Sequence, residues 1–282
     1  MNYNKNIKIT LPERIDSFID AEIEKFRIPK NRYFSEMFKN FKFKYTPNSR
    51  KNIYTEITVQ YQFAVPKEKF SRYEELVKDK INLADYCRDM IENFLSLSNA
   101  DKEEILLKDK LDIINEAIEN KMRLNFTTSH GSDMVEPYAV VKDLKHSKNY
   151  VICYRESFDG VVNYSLQNIK KIEKRKDEQE YYYIDLDKAV KSFDPFLSYD
   201  KHVKIKITPE GERIFQKRNG IRPEVIKKEG DIWTLESTDI KALIYFSSFY
   251  DEVEILEPES LRNFMAERAA RLYKIYHKEE DK

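Results

Sequence analysis

The chain has 282 residues, 41% of them hydrophobic, with 50 Lys/Arg against 50 Asp/Glu. That length suits two or three domains with ample core, and the two cysteines, Cys87 and Cys153, form no CxxC pair, which argues against a disulfide scaffold, structural zinc or redox chemistry and points to a reduced, cytoplasmic location. No stretch approaches the roughly 20 apolar residues that cross a bilayer, and the start of the chain lacks the apolar core of a secretion signal. Charge is uneven, however: residues 1–54 hold 12 Lys/Arg and 6 Asp/Glu. An electropositive end favours phosphate contacts through counterion release, the alternative being a solvated basic stretch.

The first hundred residues contain an internal repeat. RIPKNRYFSEMFKNF (27–41) aligns with KINLADYCRDMIENF (80–94) at a spacing of 53, matching Ile28 with Ile81, Tyr33 with Tyr86, Met37 with Met90 and Phe41 with Phe94. Upstream, a spacing of 54 pairs Ile7, Ile9, Leu11 and Pro12 with Tyr61, Phe63, Val65 and Pro66. Each copy begins with alternating residues that predict a strand, then a proline that opens a helix. In copy one Ile15, Phe18, Ile19 and Phe26 predict one apolar helical face, and after a break at 27–31 Tyr33, Met37 and Phe41 predict that of a second helix.

A strand and two helices in about 45 residues bury too little surface alone, so two strands are expected to pair into an antiparallel ribbon, within one chain or between two. The arrangement resembles the ribbon-helix-helix fold. That resemblance implies that the polar ribbon face reads nucleic acid through Asn6, Lys8 and Thr10 in copy one and Thr58, Gln60 and Gln62 in copy two. It further implies a phosphate clamp at Lys30, Asn31 and Arg32. The counterpart of the clamp, Leu83-Ala84-Asp85, has no basic residue. A ribbon that serves only dimerisation is the alternative reading.

After a polar break at 96–102, Ile105, Leu106, Leu111, Ile114, Ala117 and Ile118 predict a linking helix. Short strands follow at 122–127, 134–141, 150–154, 161–166 and 169–173, separated by SHGSD, KHSKN and SFDG, a spacing that predicts a small barrel. AIENKMRLNF, VEPYAVV, KNYVICYRES and NYSLQNIKKIE resemble the WYL domain, an Sm-like barrel. The triplet that names the family stands here as Asn149-Tyr150-Val151, and the segment that usually supplies two arginines as Tyr164-Ser165-Leu166-Gln167-Asn168-Ile169. The resemblance implies nucleic-acid or nucleotide-like ligands, with Arg123, Tyr150, Tyr154, Arg155 and Tyr164 as the remaining cations and aromatic faces. Half-buried packing tyrosines are the alternative.

From 202 to 275, HVKIKI, a helix at 209–217, two strands in EVIKKEGDIWTLES, a helix near 240–247 and VEILEPESLRNFMAERAARLYKIY resemble the extension that often follows WYL domains. A connector at 177–200, with YYYIDLD and DPFLSYD, is expected to pack on the barrel. The expected class is thus α+β multidomain, with tandem ribbon-helix-helix-like units, a small Sm-like β-barrel (WYL) and a C-terminal ferredoxin-like α/β extension. The expected boundaries are a first ribbon-helix-helix unit at 1–54, a second at 55–98, a linking helix at 99–122, the WYL barrel at 123–176, the connector at 177–200 and the extension at 201–282.

His130, His146, His202 and His277 have no ligand-spaced partner, the five glycines make neither a P-loop nor a GxGxxG, and Glu103-Glu104 is expected on a helix surface. The expectation is a non-enzymatic binder without cofactor or metal. Ribbon-helix-helix elements ahead of a WYL module resemble the accessory proteins of type VI-D, RNA-targeting CRISPR systems. That resemblance implies a homodimer that binds single-stranded RNA and stimulates an effector ribonuclease, with no membrane role. A ligand-responsive, DNA-binding transcriptional regulator and a purely structural dimer are the other readings.

Overall fold

A computed structural model describes residues 5–46, 57–158, 160–178, 184–198, 201–218 and 222–277. The described residues form a mixed α/β structure with three antiparallel sheets, and the chain divides into two compact units. The first comprises residues 1–151 and 164–179, the second 152–163 and 180–282.

The first unit opens with the ribbon. Strands β1 (Asn6–Pro12) and β2 (Thr58–Ala64) pair antiparallel, with Ile7 opposite Phe63, Lys8 opposite Gln62 and Ile9 opposite Tyr61. The pairing between the two copies therefore forms within one chain. Alternation decides which face is wet: Ile7, Ile9, Leu11, Tyr61 and Phe63 are buried, while Asn6, Lys8, Thr58, Gln60 and Gln62 are exposed and Thr10 half-buried.

Helices α1 (Glu13–Phe26) and α2 (Lys30–Asn40) follow β1, and a 3₁₀ turn at Lys67–Lys69, α3 (Phe70–Lys78) and α4 (Leu83–Leu95) follow β2. The repeat persists in the backbone, since Arg27 and Lys80, 53 residues apart, both adopt the left-handed region with φ of 54° and 56°. Their cores interlock: Phe34 stacks on Phe63 at 5.6 Å, and Tyr33 and Phe41 each meet Phe94 edge to face at 5.7 Å. Phe18, expected in the core, is 66% exposed, because Ile19 and Phe26 face inward and Phe18 lies a hundred degrees of helix turn from Ile19.

The expected linking helix is two helices, α5 (Asn99–Leu106) and α6 (Lys108–Glu119), joined at Leu107. The expected polar break ends early because Ser98 caps α5, accepting from the Asp101 amide at 3.2 Å. The five expected strands are present as β3 (Met122–Thr128), β4 (Gly131–Asp143), β5 (Lys148–Arg155), β6 (Gly160–Ser165) and β7 (Lys171–Glu178), in the order β6-β5-β4-β3-β7. The expected closed barrel is not formed among the described residues: β6 and β7 are the two edges of an open sheet. Closing a barrel needs the strands to tilt and their register to stagger by a fixed shear, and neither the number nor the spacing of strands in the sequence sets these.

In the second unit, strand β8 (His202–Ile207), helix α8 (Pro209–Lys217), strands β9 (Glu224–Glu229) and β10 (Ile232–Glu236), helix α9 (Asp239–Phe246) and strand β11 (Val253–Glu257) form a four-stranded sheet ordered β11-β8-β10-β9. The final helix is α10 (Glu259–Tyr276). Trp233, Phe215, Phe246, Phe249 and the inner residues of β8 fill its core. Gly211 is required by close approach, since a Cβ there would lie 2.6 Å from the Glu252 carbonyl oxygen. The connector contributes α7 (Ile184–Lys191) and Phe196, which joins this core edge to face with Tyr245 at 5.9 Å. The tyrosines at 181–183 lie outside the described residues.

Candidate nucleic-acid interface

The ribbon's polar face is built by period two and by register. Lys8 stands opposite Gln62 and Thr10 opposite Gln60, with Asn6 and Thr58 towards the ends, so the six expected readers share one surface. Among the described residues Lys8 has no carboxylate partner, and its ammonium remains available to an acceptor. Beside it runs a shallow groove of about 520 Å³ lined by residues that include Asn6, Lys8, Lys80 and Asn82. Lys80, three residues before the Leu83-Ala84-Asp85 segment, is a basic residue of this groove. Sequence reasoning missed it, although the alignment of Lys80 with Arg27 was the available signal. The N-terminus of α4 is already capped, Asn82 Oδ1 accepting from the Ala84 and Asp85 amides at 3.0 and 3.3 Å.

The expected clamp is largely engaged within the protein. Lys30 Nζ donates to Asp16 at 3.3 Å and to the Tyr61 hydroxyl at 3.0 Å, and pairs with Asp20 at 2.6 Å. Burial lowers its pKa, but hydrogen bonds to Asp20 and Asp16 outweigh that and hold it above the ordinary lysine value. Asn31 Oδ1 accepts from the Ala64 amide at 3.2 Å and so ties α2 to the end of β2. Arg32 is exposed and lies 3.6 Å from Glu36. To reach a phosphate, Lys30 must leave two carboxylates; Arg32 need only turn away from one.

Of the five residues expected on the barrel, Arg123, Tyr150 and Tyr164 belong to the first unit and Tyr154 and Arg155 to the second. Arg123 Nε donates to Glu136 Oε1 at 2.7 Å, and Glu136 is buried. The Tyr164 hydroxyl donates to Asp133 at 2.9 Å while its ring meets Phe126 edge to face at 5.3 Å. Tyr150 and Tyr154 are buried, so their rings offer little face for a stacking base. Arg155 is half-buried.

Behind the ribbon lie polar contacts that sequence reasoning did not foresee. Lys102 is buried against Glu22, which also accepts from the Tyr33 hydroxyl at 2.7 Å. Glu103, expected on a helix surface, is 1% exposed. Its Oε2 accepts from the Asn149 amide at 2.7 Å and side chain at 3.1 Å. The first residue of the altered triplet is therefore a bracket between α5 and β5.

Residues 199–273 match the model of the WCX domain, the stretch whose sequence resembles the extension following WYL domains. No curated protein matches the sequence. Among solved structures, the crystal structure of a CRISPR Cas-related protein is similar over 100% of this chain and 96% of its own, with a TM-score of 0.56 at 14% identity. At that identity the likeness shows a common fold. The proteasome accessory factor B/C of Arthrobacter aurescens aligns over 55% of this chain and 25% of that one, with 20% identity and a TM-score of 0.26. The chain carries a WCX domain and shares its fold with a CRISPR Cas-related protein.

Proposed function

We propose that this chain is a non-enzymatic, nucleic-acid-binding regulator whose ribbon face makes the principal contact. The observation that carries the reading is the gathering of Asn6, Lys8, Thr10, Thr58, Gln60 and Gln62 on one ribbon face, all exposed but the half-buried Thr10, with residue types that donate to phosphates and base edges. In this reading residues 1–98 are two ribbon-helix-helix units paired within the chain, 123–176 a WYL module built on the open five-stranded sheet and 201–282 a ferredoxin-like extension. The β-α-β-β-α-β order of the second unit's sheet supports the last assignment. Among the described residues no group of three or more His, Cys, Asp or Glu is placed to hold a metal. Both cysteines are buried, with burial pushing the Cys87 thiol up to about 12 and the Cys153 thiol well above its ordinary value, which leaves neither as a ready nucleophile.

The finer proposal is a single-stranded-RNA-binding accessory protein that stimulates an RNA-cleaving CRISPR effector, supported by the shared fold with a CRISPR Cas-related protein. Arg123, Tyr150, Tyr154, Arg155 and Tyr164 remain its secondary candidates, and a homodimer is proposed through α10, where Leu272, Tyr273, Ile275 and Tyr276 are exposed. A second reading, a DNA-binding transcriptional regulator, is favoured by the pairing of Lys8 with Gln62, which gives the ribbon the local twofold of a duplex. Competition between labelled single-stranded RNA and duplex DNA at fixed salt separates them. Preference for RNA, with faster RNA cleavage when the protein is added to an effector, supports the accessory reading; preference for a palindromic duplex supports the regulator.

A further inference from the structure

The second unit holds two arginines that stand over one aromatic cluster. Arg213 meets Glu210, Lys228 meets Glu212 at 3.0 Å and Arg262 meets Glu254 at 2.7 Å. Arg218 and Arg222, both exposed, meet no carboxylate among the described residues. Each instead stands over aromatic rings: the Arg218 guanidinium is 4.9 Å from the centre of Tyr245 and 5.5 Å from that of Phe249, and Arg222 is 5.4 Å from Phe215. The three supports form one cluster, with Phe215 and Tyr245 at 5.8 Å and Tyr245 and Phe249 at 5.6 Å.

Each guanidinium also rests on a helix end. Arg218 Nη1 donates to the Tyr245 carbonyl at 2.9 Å near the end of α9, and Arg222 Nη1 to the Phe215 carbonyl at 3.3 Å near the end of α8. Capping accounts for one donor on each, and a guanidinium has five. Beneath them the Tyr245 hydroxyl is buried with no hydrogen-bond partner. Burial is the main influence on that hydroxyl, raising its pKa, and Arg218 and Arg222 oppose the shift.

We propose that Arg218, Arg222 and the Tyr245 hydroxyl form a phosphate-binding site on the WCX domain, separate from the ribbon. Two planar forks with spare donors and no competing carboxylate suit the tetrahedral oxygens of a phosphate. The aromatic backing holds both cations at rest without neutralising them, and weakly enough for a phosphate to move them. The hydroxyl beneath gains an acceptor when a phosphate draws the guanidinium off its ring. Trp233 and Phe215 are buried, so recognition here is of the phosphate and not of a base. Free phosphate, a nucleotide and the backbone of a strand share this chemistry.

The test uses the full chain and calorimetric titration with inorganic phosphate, AMP and a single-stranded hexanucleotide in separate arms. Emission from Trp233, the only tryptophan, gives a local readout because its ring meets Phe215 edge to face at 5.4 Å. Saturable binding of at least one probe is expected, weakened tenfold or more by Arg218→Gln with Arg222→Gln and severalfold by Tyr245→Phe. Lys67→Ala, an exposed cation in the 3₁₀ turn of the first unit, leaves the Trp233 response to the probe unchanged. The arm that saturates at the lowest concentration identifies the source of the phosphate. Should the double variant fail to fold, Arg218→Lys and Arg222→Lys keep the charges but lose the forks, and severalfold weakening is expected of each. No saturable binding in any arm, or equal affinity in folded variants, overturns the proposal.

Discussion

Lys8 lies directly across the ribbon from Gln62, the residue 54 positions on that the repeat makes its equivalent. The local twofold axis of the paired copies therefore passes between a lysine and a glutamine, and the duplication has kept its geometry while losing one charge. Gln62→Lys restores a symmetric face. Affinity for nucleic acid, measured by anisotropy at low salt, is expected to rise severalfold. Stability is expected to fall by about 0.2–1 kcal/mol in urea, because like charges then face each other across two strands. Unchanged affinity would contradict a role for this face.

Phe41 and Phe94, also equivalent in the repeat, meet edge to face at 5.7 Å beneath the ribbon. Phe94 is fully buried and touches Tyr33 as well. Phe94→Ala is expected to destabilise the chain by about 3–5 kcal/mol in denaturant unfolding, through lost transfer energy and the remaining cavity. A cost below about 1 kcal/mol would mean that the two copies do not share a core.

The Glu103 carboxyl is held above the ordinary carboxylate range by burial, which its hydrogen bonds from Asn149 and the nearby Lys148 and Lys25 only partly offset. A folded pKa above the unfolded value means that this group's contribution is full below the unfolded pKa and is lost as pH rises through the folded one. Glu103→Gln keeps an oxygen for Asn149 without the charge. It is expected to raise Tm at neutral pH relative to the parent and to flatten the decline from mildly acid to neutral pH. A steeper decline in the variant would contradict the assignment.

Lys102 and Glu22 face each other with side chains 6% and 14% exposed. Removing one partner strands the other charge, so Lys102→Ala is expected to cost about 3–5 kcal/mol. Lys102→Met with Glu22→Gln is expected to recover much of it. Equal stability of all three chains would show that the pair is not buried in solution.

The ribbon and its polar face were legible in sequence because alternation and a repeat are local signals: Ile7, Ile9 and Leu11 declare the buried side, and the spacing of 54 supplies the partner strand. The strands β3 to β7 were legible from the turn-prone stretches SHGSD, KHSKN and SFDG that separate them. The start of α5 was hidden because Ser98, Asn99, Asp101 and Lys102 read as a polar break, although the helix buries Lys102. Engagement of Lys30 by Asp16 and Asp20 was hidden too, since those carboxylates stand on another helix and come near only through packing. Sheet closure was expected from strand number and spacing, which do not fix curvature.

The most direct test of the ribbon as a nucleic-acid interface is the salt dependence of binding to a labelled single-stranded RNA, compared between the parent and Lys8→Ala. The loss of one phosphate contact is expected to weaken binding at low salt and to reduce the slope of log K against log salt by roughly 0.7–1. An identical slope and affinity in a folded Lys8→Ala chain would contradict the account.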